Sequence, residues 1–237
     1  MNILLLPELD NNQSCISITN LDQINHVQKV LRLKAGDSLK VGSLKGKLGT
    51  AVIEAVSDKQ LKLGQLNLNT MPPSKLDLTA VLALPRPKVL RRLIMDMTAI
   101  GVAEIILVNS YRTDKSYWQS PMLKRIDEFV KEGLQQGVDT IPPKIQLKKR
   151  FKPFVEDELA AWAKDRSLVV AHPYSPLSFN KYIEQAGLPQ VLCIGAEGGW
   201  IDYEVSLLQN NGCQSVSIGS RILRTEAAVN ALCGRYL

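Results

Sequence analysis

The sequence predicts an α/β chain in two parts: a small N-terminal β-barrel over residues 1-72 and a C-terminal α/β parallel-sheet domain over 73-237. Three observations carry this. Up to about residue 70, short stretches of alternating apolar and polar residues are separated by glycines, the mark of half-buried strands joined by turns. Thr70-Met-Pro-Pro-Ser74 then breaks the pattern and reads as a linker. From residue 75 onward, buried apolar runs alternate with helical periodicity, as in a parallel sheet covered on both faces.

In the first part, strands are expected at 14-19, 37-42, 47-56 and 60-66, with Leu61 and Leu63 alternating against Lys62 and Gly64. Gly36-Asp37, Gly42, Gly46 and Gly49 supply turns. One helix is expected over 21-31, where Leu21, Ile24, Val27, Val30 and Leu31 recur at three- and four-residue spacing. In the second part, strands are expected at 76-84, 104-109, 168-172, 191-195 and 215-219. Helices are expected at 88-100, 121-136, 154-164, 202-210 and 225-236. Leu90, Leu93, Ile94 and Met97 share one face of the first of these, and Pro121 opens the second where the first turn tolerates it.

Composition narrows the function classes. With 45% apolar and 22% charged residues the chain is an ordinary folded protein, and its net charge of +6 mildly favours a polyanionic partner. No apolar run approaches the ~18 residues of a membrane helix, and the start, Met1-Asn-Ile-Leu-Leu-Leu-Pro-Glu8, has no basic region of a signal peptide. Cys15, Cys193, Cys213 and Cys233 form no CxxC pair, and His26 and His172 lie far apart, so free thiols in a reducing cytoplasm and no metal are expected.

Three segments carry chemistry. Cys193-Ile-Gly-Ala-Glu-Gly-Gly-Trp-Ile-Asp-Tyr-Glu204 sets three glycines and a carboxylate directly after a buried strand, where open α/β sheets bind ligands. The plainer alternative is a tight turn before a helix capped by Asp202. Ser217-Ile-Gly-Ser-Arg-Ile-Leu-Arg-Thr-Glu-Ala-Ala228 again follows a strand and offers Arg221 and Arg224 to a phosphate, carboxylate or oxyanion, or simply a helix capped by Thr225. His26-Val-Gln-Lys-Val-Leu-Arg-Leu-Lys-Ala-Gly-Asp37 places His26, Lys29, Arg32 and Lys34 on a helix and its exit. With the acid-free stretches at 86-92 (Arg86, Lys88, Arg91, Arg92) and 144-152 it suggests nucleic acid, although any one basic run suits a solvated face. Of the tryptophans, Trp200 stands out because it adjoins the glycine loop. The spaced-glycine dinucleotide fingerprint is absent, which weakens the reading as a nucleotide-dependent metabolic enzyme.

Taken together and in order, His26-Val-Gln-Lys-Val-Leu-Arg32 with Gly36-Asp37, Gly195-Ala-Glu-Gly-Gly199, and Gly219-Ser-Arg-Ile-Leu-Arg-Thr-Glu226 resemble the bacterial 16S rRNA uridine-N3 methyltransferases of the SPOUT class, over nearly the whole chain. The resemblance implies a PUA-like barrel, a domain tied in a deep trefoil knot, S-adenosyl-L-methionine as cofactor, a homodimer, and methylation of N3 of a uridine near the decoding centre of the small ribosomal subunit. It implies cofactor contacts from His172, Leu192, Ile194, Gly195, Glu197, Gly198, Gly199, Ile218, Gly219, Ile222, Leu223 and Arg224. RNA contacts fall to His26, Lys29, Arg32, Arg86, Lys88 and Arg91. Arg224 is the expected stabiliser of charge on the uracil oxygens, with Arg221 structural or phosphate-facing. Glu197 is a candidate base whose loop position suits orientation equally. The dimer expectation also rests on Ala228, Val229, Leu232 and Cys233.

The chain departs from the family's pattern on the substrate side. Asp96-Met-Thr-Ala99-Ile-Gly101 lacks the usual Lys and Glu, and Leu134-Gln-Gln-Gly-Val138-Asp139 lacks the usual Arg. A methyltransferase of a different RNA nucleotide and a non-catalytic RNA-binding protein on the same scaffold therefore stay open.

Overall fold

The computed structural model describes residues 1–10 and 13–237. They divide into two compact units, one built from Met1–Ser74 and Lys131–Pro142, the other from Lys75–Val130 and Pro143–Leu237.

The first unit contains β1 (Leu4–Leu6), β2 (Ile16–Ile18), α1 (Leu21–Asn25), β3 (Ser38–Ser43), β4 (Leu48–Val56) and β5 (Leu61–Thr70). The strands form one sheet in the order β1-β3-β4-β5-β2, antiparallel except for the β1–β3 pair. Three register shifts along β4–β5 curl it, as bulges do. The short strands β1 and β2 stand at opposite edges, so among the described residues the β-barrel expected here takes the form of a curled half-barrel. Asn20 caps α1 through its side-chain oxygen, and the helix continues as a π-helical stretch over His26–Val30. Ile24 and Val27 of this segment join Leu4, Leu6, Ile18, Val41, Ile53, Leu61 and Leu63 in the core. Strand β1 was not expected; three consecutive buried leucines show no alternation.

The second unit begins with β6 (Leu76–Ala83), α2 (Pro87–Ile100), β7 (Val102–Val108) and α3 (Ile126–Gly137), whose second half belongs to the first unit. It continues with β8 (Lys144–Lys148) and one helical rod made of α4 (Phe151–Pro153), a π-helical stretch (Phe154–Leu159) and α5 (Ala160–Trp162). Then come β9 (Leu168–Ala171), α6 (Phe179–Ala186), β10 (Val191–Ile194), α7 (Asp202–Asn210), β11 (Cys213–Val216) and α8 (Thr225–Cys233). The sheet is wholly parallel, in the order β11-β9-β10-β6-β7-β8. One face packs on Phe151, Phe154, Val155, Leu159, Val205 and Leu208 of the rod and α7. On α2, Leu90, Leu93, Ile94 and Met97 are all buried, each stabilising by roughly 1.5–3 kcal/mol.

Two elements were not expected. Strand β8 hides in the basic stretch 144-152, and its charge is locally neutralised: Lys144 pairs with Glu104 at 3.0 Å, Lys148 with Glu158 at 2.7 Å, and Lys152 with Glu156 at 3.7 Å. The acids missing from that stretch come from outside it, so three of its five cations are in structural pairs. Helix α6 is short and capped by Ser178. Two expected caps shift by one residue: Ile201 and Arg224 hold the N-cap positions of α7 and α8, and Asp202 and Thr225 are the first helical residues.

Candidate active site

Because every strand of this sheet runs the same way, the segments after β7, β9, β10 and β11 leave it at one edge, where open α/β folds bind ligands. There they enclose a cavity of about 290 Å³. Of the residues expected to hold a cofactor, His172, Ile194, Gly195, Glu197, Gly198, Gly199, Ile218, Ile222 and Leu223 line it. Leu192 does not, being fully buried inside β10. Gly219 and Arg224 flank lining residues without lining the cavity themselves, whereas Arg221 does line it.

The glycine loop has the shape its composition suggests. A Cβ on Gly195 would stand 2.9 Å from the Gly199 Cα and 3.0 Å from the Trp200 amide nitrogen, so the loop folds onto itself only with glycine there. Gly199 takes φ of +67°, the left-handed region. Two carboxylates fasten the loop. Glu197 accepts the Arg86 backbone N–H at 3.1 Å. Glu204, 3% exposed, accepts the backbone N–H of Ile201 at 3.0 Å and of Tyr111 at 2.8 Å. The first of the Glu204 bonds caps α7, and the second ties the first turn of α7, just after the glycine loop, to the segment after β7.

That segment supplies a residue that sequence reasoning missed. Arg112 lines the cavity, and its guanidinium donates to the Gly198 carbonyl. No motif marks Arg112 in the sequence; only the parallel sheet, which sets β7 near β10, brings it here.

The lining is mostly apolar on one side. Ile218, Ile222 and Leu223 are exposed, Ile222 to 70%. Trp200 in the same lining is buried, its ring 5.4 Å from Phe151, and among the described residues its Nε1 is a buried donor without a partner. Apolar side chains, close backbone approach and an unanswered donor are what a flat heterocycle needs for binding. His172 sits at the rim, its backbone N–H bonded to Val216 and its ring 5.6 Å from Tyr174. Among the described residues no group of three or more His, Cys, Asp or Glu side chains converges as a metal site.

The cationic candidates divide. Arg86, Lys88 and Arg91 are exposed on the first turns of α2, Arg86 as its N-cap. Arg92 is committed to Glu226 of α8 at 3.1 Å. Asp96, one of the departures, accepts from Asn230 of α8 at 3.2 Å, so it serves the same helix pair. In the first unit Lys29 and Arg32 are exposed and His26 is half-buried. Val229, Leu232 and Cys233 are fully buried within their own unit, which removes them as a surface for a second copy. No helix among the described residues is long and apolar enough to cross a membrane.

The model of the RNA methyltransferase domain family matches residues 72–236, and that of the RNA methyltransferase PUA domain matches residues 18–65. The ribosomal RNA small subunit methyltransferase E of Synechocystis sp. is 32% identical over 219 residues, covering 87% of this chain and 67% of that protein. The protein of the same name from Treponema pallidum is 27% identical over 246 residues, covering 100% and 91%. Among solved structures, ribosomal RNA small subunit methyltransferase E from Neisseria gonorrhoeae bound to S-adenosyl methionine superposes with a TM-score of 0.76 at 20% identity, over 99% and 96% of the two chains, a likeness of fold.

Proposed function

Since the chain belongs to the RNA methyltransferase family, we propose that it is an S-adenosylmethionine-dependent methyltransferase of 16S ribosomal RNA, acting on N3 of a uridine near the decoding centre. The observation that carries the proposal is the cavity beyond β9, β10 and β11, lined by the folded glycine loop and by Ile218, Ile222 and Leu223. These residues, with Gly195, Glu197, Gly198, Gly199 and His172, are proposed to hold the cofactor, which supplies an activated methyl group when bound.

The chain's own work is to position the base and manage charge. Uracil N3 is nucleophilic only once its proton has left, and the base must be unpaired to present N3 at all. Loss of that proton puts negative charge on O2 and O4, which a guanidinium stabilises. Arg224 is the proposed stabiliser. Arg221 is the second candidate, favoured by its place in the cavity lining. Glu197, held by the Arg86 backbone, is proposed to orient the loop rather than carry the proton.

In this reading the N-terminal half-barrel, residues 1-72, binds RNA through His26, Lys29 and Arg32, and Arg86, Lys88 and Arg91 are RNA contacts of the domain of residues 73-237. The PUA match over 18–65 supports the first assignment. The SPOUT class and its trefoil knot are proposed on the sequence resemblance and on the two cavity-lining loops after β10 and β11. A homodimer is proposed on the resemblance alone. A dimeric mass by light scattering at micromolar protein is expected, and a monomer refutes it. A cytoplasmic setting accords with a ribosomal substrate and four free cysteines.

Calorimetric titration with S-adenosylmethionine tests the cofactor assignment. One site per chain is expected; no heat from folded protein overturns it and favours an RNA-binding scaffold.

A further inference from the structure

A second cavity, of about 190 Å³, opens in the N-terminal unit. Leu31, Leu33 and Leu39 give it apolar walls, and His26 and Lys40 complete the lining with the first residues of the chain. The loop is folded over it by bonds from the Leu31 N–H to the His26 carbonyl at 2.9 Å and from the Leu33 N–H to the Val27 carbonyl at 3.1 Å. The His26 Nε2 is shut off from solvent and has no hydrogen-bond partner. Buried polar atoms are rarely left so, and an unpaired one calls for a partner from outside the chain: a water, an ion or a ligand group. The same ring bonds the Met1 backbone, and burial holds its pKa below the ordinary histidine value. A neutral imidazole whose other nitrogen is a donor offers Nε2 as an acceptor.

The surroundings say what kind of donor. Lys29, Arg32, Lys34 and Lys40 are exposed, and among the described residues none is in an ion pair. Val30 and Leu31 beside them are apolar and exposed, at 66% and 46%. Uncommitted cations around an apolar slot whose lining includes an imidazole with an unpaired nitrogen match a polyanion carrying flat heterocycles that bear N–H groups.

We propose that this cavity takes one unstacked nucleobase of a single-stranded RNA segment, with His26 Nε2 accepting a base N–H and the neighbouring cations holding the flanking phosphates. The proposal rests on the reading of the chain as an RNA-acting enzyme and adds to it a base-reading site outside the methyl-transfer cavity.

The test uses the full chain and fluorescence anisotropy with single-stranded RNA dodecamers, base-bearing and abasic. The wild type is expected to bind the base-bearing strand about tenfold or more tightly than the abasic one. His26→Phe, which removes the acceptor, and Leu31→Trp, which fills the mouth from an exposed position, are expected to abolish that preference. The salt dependence, set by phosphates, should stay as it was. Retention of the full preference in either folded variant, or no preference in the wild type, overturns the proposal. Methyl transfer is read on the same preparations. An enzyme that methylates without a His26-dependent preference refutes this site alone. A chain that keeps the preference but transfers no methyl refutes the enzymatic reading alone.

Discussion

Replacing Glu204 by alanine is expected to destabilise the second unit and loosen the cofactor cavity together. The buried carboxylate accepts two backbone N–H groups, from Ile201 at 3.0 Å and Tyr111 at 2.8 Å. Hydrogen bonds to a charged acceptor contribute about 1.5–3 kcal/mol each, and alanine leaves both donors without it. The expected loss is therefore about 3–6 kcal/mol, a large share of the ~5–15 kcal/mol of a typical domain. Glu204→Gln keeps one carbonyl oxygen but no charge, and should lose about half as much. All three tryptophans, Trp118, Trp162 and Trp200, lie in the second unit, so urea unfolding followed by their fluorescence reports on that unit alone. The same variants should bind S-adenosylmethionine more weakly, because the Tyr111–Glu204 bond fixes the loop that carries Gly198 and Gly199. A loss below about 1 kcal/mol in Glu204→Ala, with cofactor affinity unchanged, would refute the reasoning.

Gly195→Ala should lower cofactor affinity by more than about tenfold, since its Cβ meets backbone at 2.9 Å, a contact that cannot relax without moving the loop. Gly198→Ala should be milder, because its Cβ meets the flexible Arg112 side chain; titration calorimetry ranks the two. Arg224→Ala should cut turnover about a hundredfold or more with cofactor affinity and folding retained, the usual cost of an oxyanion donor. Arg221→Ala under the same assay decides between the two arginines, and near-wild-type turnover in Arg224→Ala removes it from the mechanism. Burial pushes the Cys233 thiol up to about 12, against an ordinary value of 9.0. Above pH 9 the unfolded chain loses this proton while the folded one keeps it, so stability falls as pH rises toward 12, by up to about 1.4 kcal/mol per unit. Cys233→Ala should flatten that slope in alkaline unfolding; an unchanged slope contradicts the burial argument.

Much of the fold was legible because periodicity and burial coincide. The apolar faces of α2 and α3 and the strands β6, β9 and β10 are read directly from spacing, since each buries the residues its pattern marks. What failed did so for physical reasons. Three leucines at Leu4–Leu6 carry no alternation, and Lys144–Lys148 looks like a solvated charge run until Glu104 of β7 and Glu158 of the rod that follows are folded against it. The open edge of the first sheet is a matter of strand pairing, which composition does not encode. The glycine loop and the 218-223 segment were both visible as strand-following motifs, and they do share one cavity. Arg112 and Glu204 were not visible as partners of that loop, because an arginine and a glutamate acquire meaning only through the backbone groups they reach. Leu192 was placed in the pocket by the family resemblance, but it lies fully buried inside β10, and only Ile194 at the end of that strand reaches the cavity.

The central claim, that this cavity serves methyl transfer to small-subunit ribosomal RNA, is tested most directly by incubating the protein with labelled S-adenosylmethionine and small ribosomal subunits lacking the modification. Nucleoside mass spectrometry then identifies the product. Stoichiometric N3-methyluridine at a single position is the predicted result. No labelled nucleoside from protein that binds the cofactor, or a methyl group on a different base, contradicts it.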